Sequence, residues 1–328
     1  MAAQARSKIS ARTFFAYLMS LALLAFLVSS INWRDTIRIL KDGVHPVSLW
    51  PFSLTAVLIA VIYGCRWQML IGRKLDKRTS LTASILCLGG NMFLPARGGD
   101  LLRVHYSHVA GRIAQAEVFG SLMVEKVIDL ITIAAVGVLA ATVLTLSMDT
   151  AHTEILFASI ASALGLAITA IVLVKYFNAL LLKWICTVFT YIGWESFFNR
   201  HIAVLIRSAG EQMTLNNLFS PGILTLSMWL SAYAFSYVFA AQFVGVSLSY
   251  EEALVVLFAG ALGLMLPAAP SGIGTFHASV VSAFLLLGRS SAEGFLVATA
   301  IHLLFFAAYV LPAAILYGRW RMARVLPS

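Results

Sequence analysis

The apolar run from Leu81 to Phe93 has the composition of a membrane helix, yet it breaks off at Leu94-Pro95-Ala96-Arg97-Gly98-Gly99-Asp100-Leu101-Leu102-Arg103. Pro95 lacks an amide hydrogen and clashes with the preceding turn, so a helix stops or kinks there. Gly98-Gly99 permits a change of direction that side chains would forbid. Such backbone is tolerated at membrane depth only where protein buries it or water reaches it. Arg97, Asp100 and Arg103 in this break therefore predict a polar cavity inside a membrane protein.

The rest of the chain supports that class. Of 328 residues, 60% are hydrophobic and 11% charged, more apolar surface than a soluble domain can hide. The expected fold is all-α and polytopic, a single transmembrane domain over residues 1–328. The net charge of +9 is gathered at segment ends, which is the positive-inside pattern and implies no nucleic acid partner. Cys65, Cys87 and Cys186 have neither disulfide-framework nor zinc spacing. Met1 to Arg12 followed by Phe14 to Val28 resembles a signal peptide, with Ser29-Ser30 as a cleavage site. The run is long for one and is read as the first span.

Six full spans are expected, at about Phe14–Ile31, Leu49–Ile71, Glu117–Leu146, Ile155–Tyr176, Leu218–Val246 and Phe295–Tyr317. Arg34 to Asp42 reads as a short polar loop. Residues 178–217 read as amphipathic helix at the membrane interface. Arg73, Lys74, Lys77 and Arg78 mark a cytoplasmic loop, which places both termini in the cytoplasm of a cell inner membrane. Leu81–Arg112 reads as a re-entrant broken-helix hairpin, because about 13 apolar residues are too few to cross. Ala253–Leu266, Pro267-Ala268-Ala269-Pro270-Ser271-Gly272-Ile273-Gly274 and Thr275–Leu287 form a second one. If both hairpins cross instead, about eight spans result.

Each half thus reads span, span, broken hairpin, span. Leu94-Pro95-Ala96 in the first half corresponds to Leu266-Pro267-Ala268 in the second. Charge bias opens the two hairpins to opposite sides, giving inverted halves over residues 1–150 and 151–328, as in many secondary transporters.

Arg97, Asp100, Arg103, Glu125, Lys126 and Asp129 would together cost on the order of 15 kcal/mol facing lipid at mid-membrane. They must face one another or water. Glu125 and Asp129 share a helix face, placed to receive Arg97 or Arg103. Glu125, Lys126 and Asp129 serve equally as internal ion pairs or as substrate contacts. Arg97 and Arg103 flank a glycine turn that opens a helix, a place suited to an anion, and arginine matches phosphate. A phosphate at that depth belongs to a lipid. The second break adds Ser271, Gly272, Gly274, Thr275 and His277 at another helix start, with His277 read as a proton carrier, a phosphate partner or a hydrogen-bonded interior residue. His105 and His108 have no third metal ligand in view, and no cofactor is implied.

These motifs resemble the lysylphosphatidylglycerol synthase transmembrane-region family, also called flippase-like. The resemblance rests on Asn91…Leu94 to Arg103, Glu125-Lys126…Asp129 and Pro267…Pro270-Ser271-Gly272-Ile273-Gly274-Thr275. It implies lipid translocation rather than enzymatic activity, with Arg97, Asp100, Arg103, Glu125 and Asp129 as the family's charged core. Lys126 stands where an arginine is common, and Ser271 and His277 where glycine and glutamate are frequent. The soluble aminoacyl-transferring domain is expected to be absent, so the chain would not aminoacylate lipid by itself. The expected substrate is a membrane lipid, either phosphate-bearing or of polyprenyl or hopanoid type, carried across the cytoplasmic membrane. A lipid-modifying enzyme acting on that lipid and a second copy of the chain are compatible partners. Two other readings stay open: an intramembrane serine hydrolase using Ser271 with His277 or His302, and a structural membrane subunit.

Overall fold

In a computed structural model of the chain, the described residues are 31–94, 97–145, 176–191, 193–266 and 270–325, with scattered positions between 22 and 29 and between 158 and 172. They form helices and no strand. In order these are α1 (Trp33–Gly43), α2 (Leu49–Leu70), α3 (Lys77–Phe93), α4 (Gly98–Gly111), α5 (Gln115–Thr145), α6 (Asn178–Tyr191), α7 (Ala203–Gln212), α8 (Leu215–Met228), α9 (Ala234–Phe243), α10 (Tyr250–Met265), α11 (Thr275–Leu286) and α12 (Ser291–Val325). A wide turn over Trp229–Tyr233 carries α8 directly into α9.

Among the described residues, four stretches are long and apolar enough to span a membrane: Pro46–Leu70, Gln115–Leu144, Asn216–Phe243 and Ser291–Ala323. They coincide with the second, third, fifth and sixth expected spans. The first and fourth, Phe14–Ile31 and Ile155–Tyr176, fall almost wholly outside the described residues, as do Pro95-Ala96 and Pro267-Ala268-Ala269.

One expectation is corrected. Arg34 to Asp42 belongs to helix α1, not to a loop. Asn32 caps it by accepting from the Arg34 amide, and Asp35 and Lys41 lie at the ends the helix dipole favours. Charge density suggested a loop, while Trp33, Ile37 and Leu40 recur at helical spacing.

Both broken segments return on themselves. In the first, Gly99 lies against Cys87, Gly90 and Asn91 near the break, and Gly111 lies against Leu75 at the far end. Residues early in α4 therefore pair with residues late in α3, which is an antiparallel hairpin. The contact is so close that an ideal Cβ on Gly90 would lie 2.6 Å from the Cα of Gly99, so only glycine fits. α10 and α11 repeat the pattern, with Leu264 against Gly272 and Phe276 against Gly260. The second hairpin's open end is closed by Arg289, whose guanidinium reaches Glu252 at 3.1 Å and Glu293 at 2.8 Å.

The long helix α12 orders the two hairpins. Near its start, Gly294 packs on Val281 and Phe284 of α11, and His302 meets Ser271. Further along, Tyr309 and Ala313 pack on Gly89, and Trp320 meets His105 and Tyr106. The hairpins thus lie along opposite halves of α12 and touch at their tips, where the Ser271 hydroxyl donates to Met92 Sδ at 3.1 Å.

The described part of 178–217 forms α6, a short helical stretch over Glu195–Phe197 and Phe198–Ile202 that leads into α7, and the start of α8. α7 packs on the first turns of α5, where Gln212 donates to the Glu117 carbonyl at 2.8 Å and accepts from the Ser121 hydroxyl at 2.6 Å. α6 leaves Leu180, Trp184, Val188 and Tyr191 exposed at helical spacing.

Candidate functional site

The charged residues of the first break converge where α2, α3, α4 and α5 meet. Arg103, on the first turns of α4, sets its Nη1 and Nη2 on the two oxygens of Glu125 at 2.9 and 2.6 Å. Its guanidinium also stacks 4.0 Å from the Trp67 ring centroid. Arg66, near the C-terminal end of α2, approaches Glu125 at 3.3 Å and reaches Asp129 at 2.6 Å. The same Arg66 nitrogen donates to the Thr225 hydroxyl at 2.9 Å, and its guanidinium lies over Tyr63 at 4.3 Å. Arg66, Arg103 and Glu125 are completely buried. Bidentate pairing plus aromatic faces is what arginine offers that lysine does not.

A second layer lies toward the outside. Asp100 receives Lys126 at 2.8 Å, Arg97 at 3.6 Å and Arg103 at 3.8 Å. Its carboxylate also accepts from the Cys87 thiol at 3.1 Å, and its amide donates to Asn91 at 3.2 Å. Arg97 is 54% exposed and Lys126 30%. Four cations therefore meet three carboxylates; Arg97 is accessible, whereas the Lys126 ammonium itself is buried and the exposure lies along its stem.

The backbone at Arg97 is unusual. Its φ of 55° is left-handed, a region that glycine enters freely and other residues at a cost. An arginine kept there, with Gly98 and Gly99 next to it, is a feature to be explained by its side chain.

Sequence reasoning and structure differ in who pairs with whom. Glu125 receives Arg103 as expected, but Asp129 receives Arg66, and Arg97 turns to Asp100. Arg66 was missed, although an arginine inside the apolar run Leu49–Leu70 is itself a signal. Tyr63, Trp67 and Thr225 are also partners that sequence alone did not single out, and Asn91 entered only through the family motif. His105 packs on Trp320, and His108 Nδ1 contacts the Ile113 carbonyl at 2.5 Å. No metal-binding cluster occurs among the described residues.

The second break supplies a neighbouring but distinct group. Ser271, at φ 61°, places its hydroxyl 2.7 Å from His302 Nε2, which also lies 2.9 Å from the Ser271 carbonyl. Gly272 and Gly274 have φ of 64° and 95°, and Thr275 caps the turn by donating to the Gly272 carbonyl at 3.1 Å. His277 is buried and stacks on His302, centroids 5.1 Å apart. Consecutive residues of α3 link the two groups: Asn91 binds Asp100, and Met92 binds Ser271.

A family profile described as lysylphosphatidylglycerol synthase TM region matches residues 13–313. No curated protein and no solved structure matches. The matched stretch contains both hairpins, three of the four long apolar stretches, most of the fourth and the whole ion network, so this multi-pass membrane protein belongs to the lysylphosphatidylglycerol synthase transmembrane-region family, and its function is related to membrane lipid.

Proposed function

We propose that the protein moves an anionic, phosphate-bearing lipid across the cytoplasmic membrane, and that Arg97 and Lys126 hold its phosphate. One observation carries this: the ion network holds one cation more than it has carboxylates, and Arg97, which remains accessible, shares Asp100 with the buried Lys126 ammonium. A charge imbalance within a membrane protein is costly unless an anion completes it. A phosphate would take the place of the missing carboxylate. The family's name, built on a phosphatidylglycerol derivative, is consistent with that headgroup.

In this reading Arg103, Glu125, Arg66 and Asp129 are the fixed frame, and Asp100 is the group that releases Arg97 and Lys126 when phosphate arrives. Residues 1–150 and 151–328 act as inverted halves whose hairpins part and meet at Ser271 and Met92. Gly98, Gly99, Gly272, Gly274 and Thr275 shape the two tips. Both termini face the cytoplasm of the inner membrane.

The test is transbilayer movement of headgroup-labelled phosphatidylglycerol in reconstituted vesicles. Replacing Arg97 and Lys126 together by alanine should slow it by about tenfold or more while leaving a folded protein. Movement at the parent rate would remove both cations from the reading.

The short Ser271–His302 contact favours a second reading, a membrane-embedded serine hydrolase. Against it, His302 Nδ1 has no hydrogen-bond partner among the described residues, whereas a catalytic base needs a group to orient it. Covalent labelling of Ser271 by a fluorophosphonate would establish it.

A further inference from the structure

His277 and His302 take no part in the headgroup reading, yet they sit behind the contact that joins the two hairpins. Their rings stack at 14° with centroids 5.1 Å apart. Phe276 meets both rings, and Phe295 meets His277. From the elements around them, α3 brings Met92 against Ser271, and α10 brings Gly260 and Gly263 against α11. α9 brings the Tyr237 hydroxyl beside Gly260, and α1 sets Trp33 on Phe295. Among the described residues, no carboxylate, lysine or arginine contacts either ring.

The hydrogens on His302 follow from its partners. Nε2 lies 2.9 Å from the Ser271 carbonyl, which only accepts, so Nε2 carries a hydrogen. The Ser271 hydroxyl, 2.7 Å from the same nitrogen, is thereby free to donate to Met92 Sδ, where the hairpin tips meet. The neutral ring leaves Nδ1 as a bare lone pair, shut off from solvent and without a donor among the described residues. Moving the hydrogen to Nδ1 would turn the Nε2 lone pair on the carbonyl and draw the serine hydroxyl away from Met92. A proton added at Nδ1 removes that alternative. The imidazolium donates from Nε2 in every case, and a charged donor holds its acceptor more tightly.

We infer that His302 is a proton-operated latch on the tip contact: the neutral ring lets the hairpins part, and the ring protonated at Nδ1 holds them together. The proton comes from the aqueous phase, forms one N–H bond and leaves the same way. His277, stacked on it, bears no second charge beside the first, so the latch takes one proton. Burial without a carboxylate opposes the charge, so the ring is neutral at pH 7 and the latch closes in acid. Its effect on lipid rests on the lipid-translocation reading above; the latch itself does not.

Spin labels report the tips directly. Phe93 and Ile273 are exposed beside them, so Phe93→Cys with Ile273→Cys gives a tip-to-tip distance by electron spin resonance. Cys65→Ser and Cys186→Ser keep the labelling specific, and the buried Cys87 stays. In the parent the distances should be broad at neutral pH and collapse to one short population toward about pH 5. His302→Gln keeps a donor for the Ser271 carbonyl without a proton site, and its distances should be the same at both ends of the range. In vesicles, movement of headgroup-labelled phosphatidylglycerol should slow by about tenfold over that range in the parent and far less in His302→Gln. Parent distances that ignore pH overturn the latch, however the variant behaves. So does a His302→Gln protein that closes in acid as the parent does. If the distances respond as expected while phosphatidylglycerol moves in neither protein, the lipid reading falls and the latch stands.

Discussion

Arg103 and Glu125 form a closed two-point pair, nitrogens on oxygens at 2.9 and 2.6 Å, with neither side chain exposed. Glu125 also faces Arg66 at 3.3 Å, so one carboxylate compensates two buried guanidinium groups. Removing one member of a buried ion pair leaves an uncompensated charge and costs about 3–5 kcal/mol. Glu125→Ala should therefore lower the thermal unfolding midpoint in detergent far more than any change at Arg97. Exchanging the pair, Arg103→Glu with Glu125→Arg, should not restore stability, because the new arginine would face Arg66. Full recovery in the exchanged protein would show that Arg66 is not coupled to Glu125.

Ser271 combines a left-handed backbone with two side-chain partners, His302 and Met92. The variants Ser271→Gly and Ser271→Ala both lose the hydroxyl, but only alanine keeps the backbone strain. The glycine variant should be the more stable by about 1 kcal/mol. Denaturation of the two variants side by side measures that difference directly. Equal stabilities would mean that the turn at the second tip is not strained.

Asp76 caps α3 outside the spanning region, accepting from the Thr79 amide at 3.2 Å. The hydrogen bonds from Thr79 hold its carboxyl below the ordinary carboxylate range. A depressed folded-state pKa means stability that is present above the unfolded value and lost as pH falls through the folded one. Asp76→Ala should cost about 1 kcal/mol at neutral pH, and that difference should vanish in acid. Asp76→Asn keeps the cap and should flatten the acid side of the profile.

Much of this architecture was legible because its signals are local. Proline, glycine and charge inside apolar runs marked both hairpins, and hydropathy marked the spans at Leu49, Glu117, Leu218 and Phe295. What the sequence could not supply was pairing across the fold. Asp129 lies four residues after Glu125 on the same helix face, yet its partner is Arg66, 63 residues away, and no spacing rule connects them. Arg66 is the single charged residue in a helix whose hydropathy is otherwise that of an ordinary span, so the average over its length conceals it. The return of each hairpin was decided by glycine contacts at Gly90, Gly99 and Gly260, features of close approach that hydropathy does not register. α1 was hidden by its charges, which lie along a helix and were read as a loop.

Arg97 presents the sharpest separation of backbone from side chain. At φ 55° glycine would be the easier residue, by about 1 kcal/mol or more. The ion pair with Asp100 is long, 3.6 Å, and more than half exposed on the arginine side, so it contributes at most about 1 kcal/mol. These effects oppose each other, and Arg97→Gly should leave the unfolding midpoint close to that of the parent. Its lipid movement should nonetheless fall with that of Arg97→Ala, because both remove the guanidinium. Arg97→Lys, which keeps a cation without the two-point donor, should fall between them and the parent. A glycine variant that moves phosphatidylglycerol at the parent rate would show that the residue at this turn is retained for a reason other than anion binding. Lys126, which shares Asp100 with Arg103, would then be the cation to which the headgroup must be assigned.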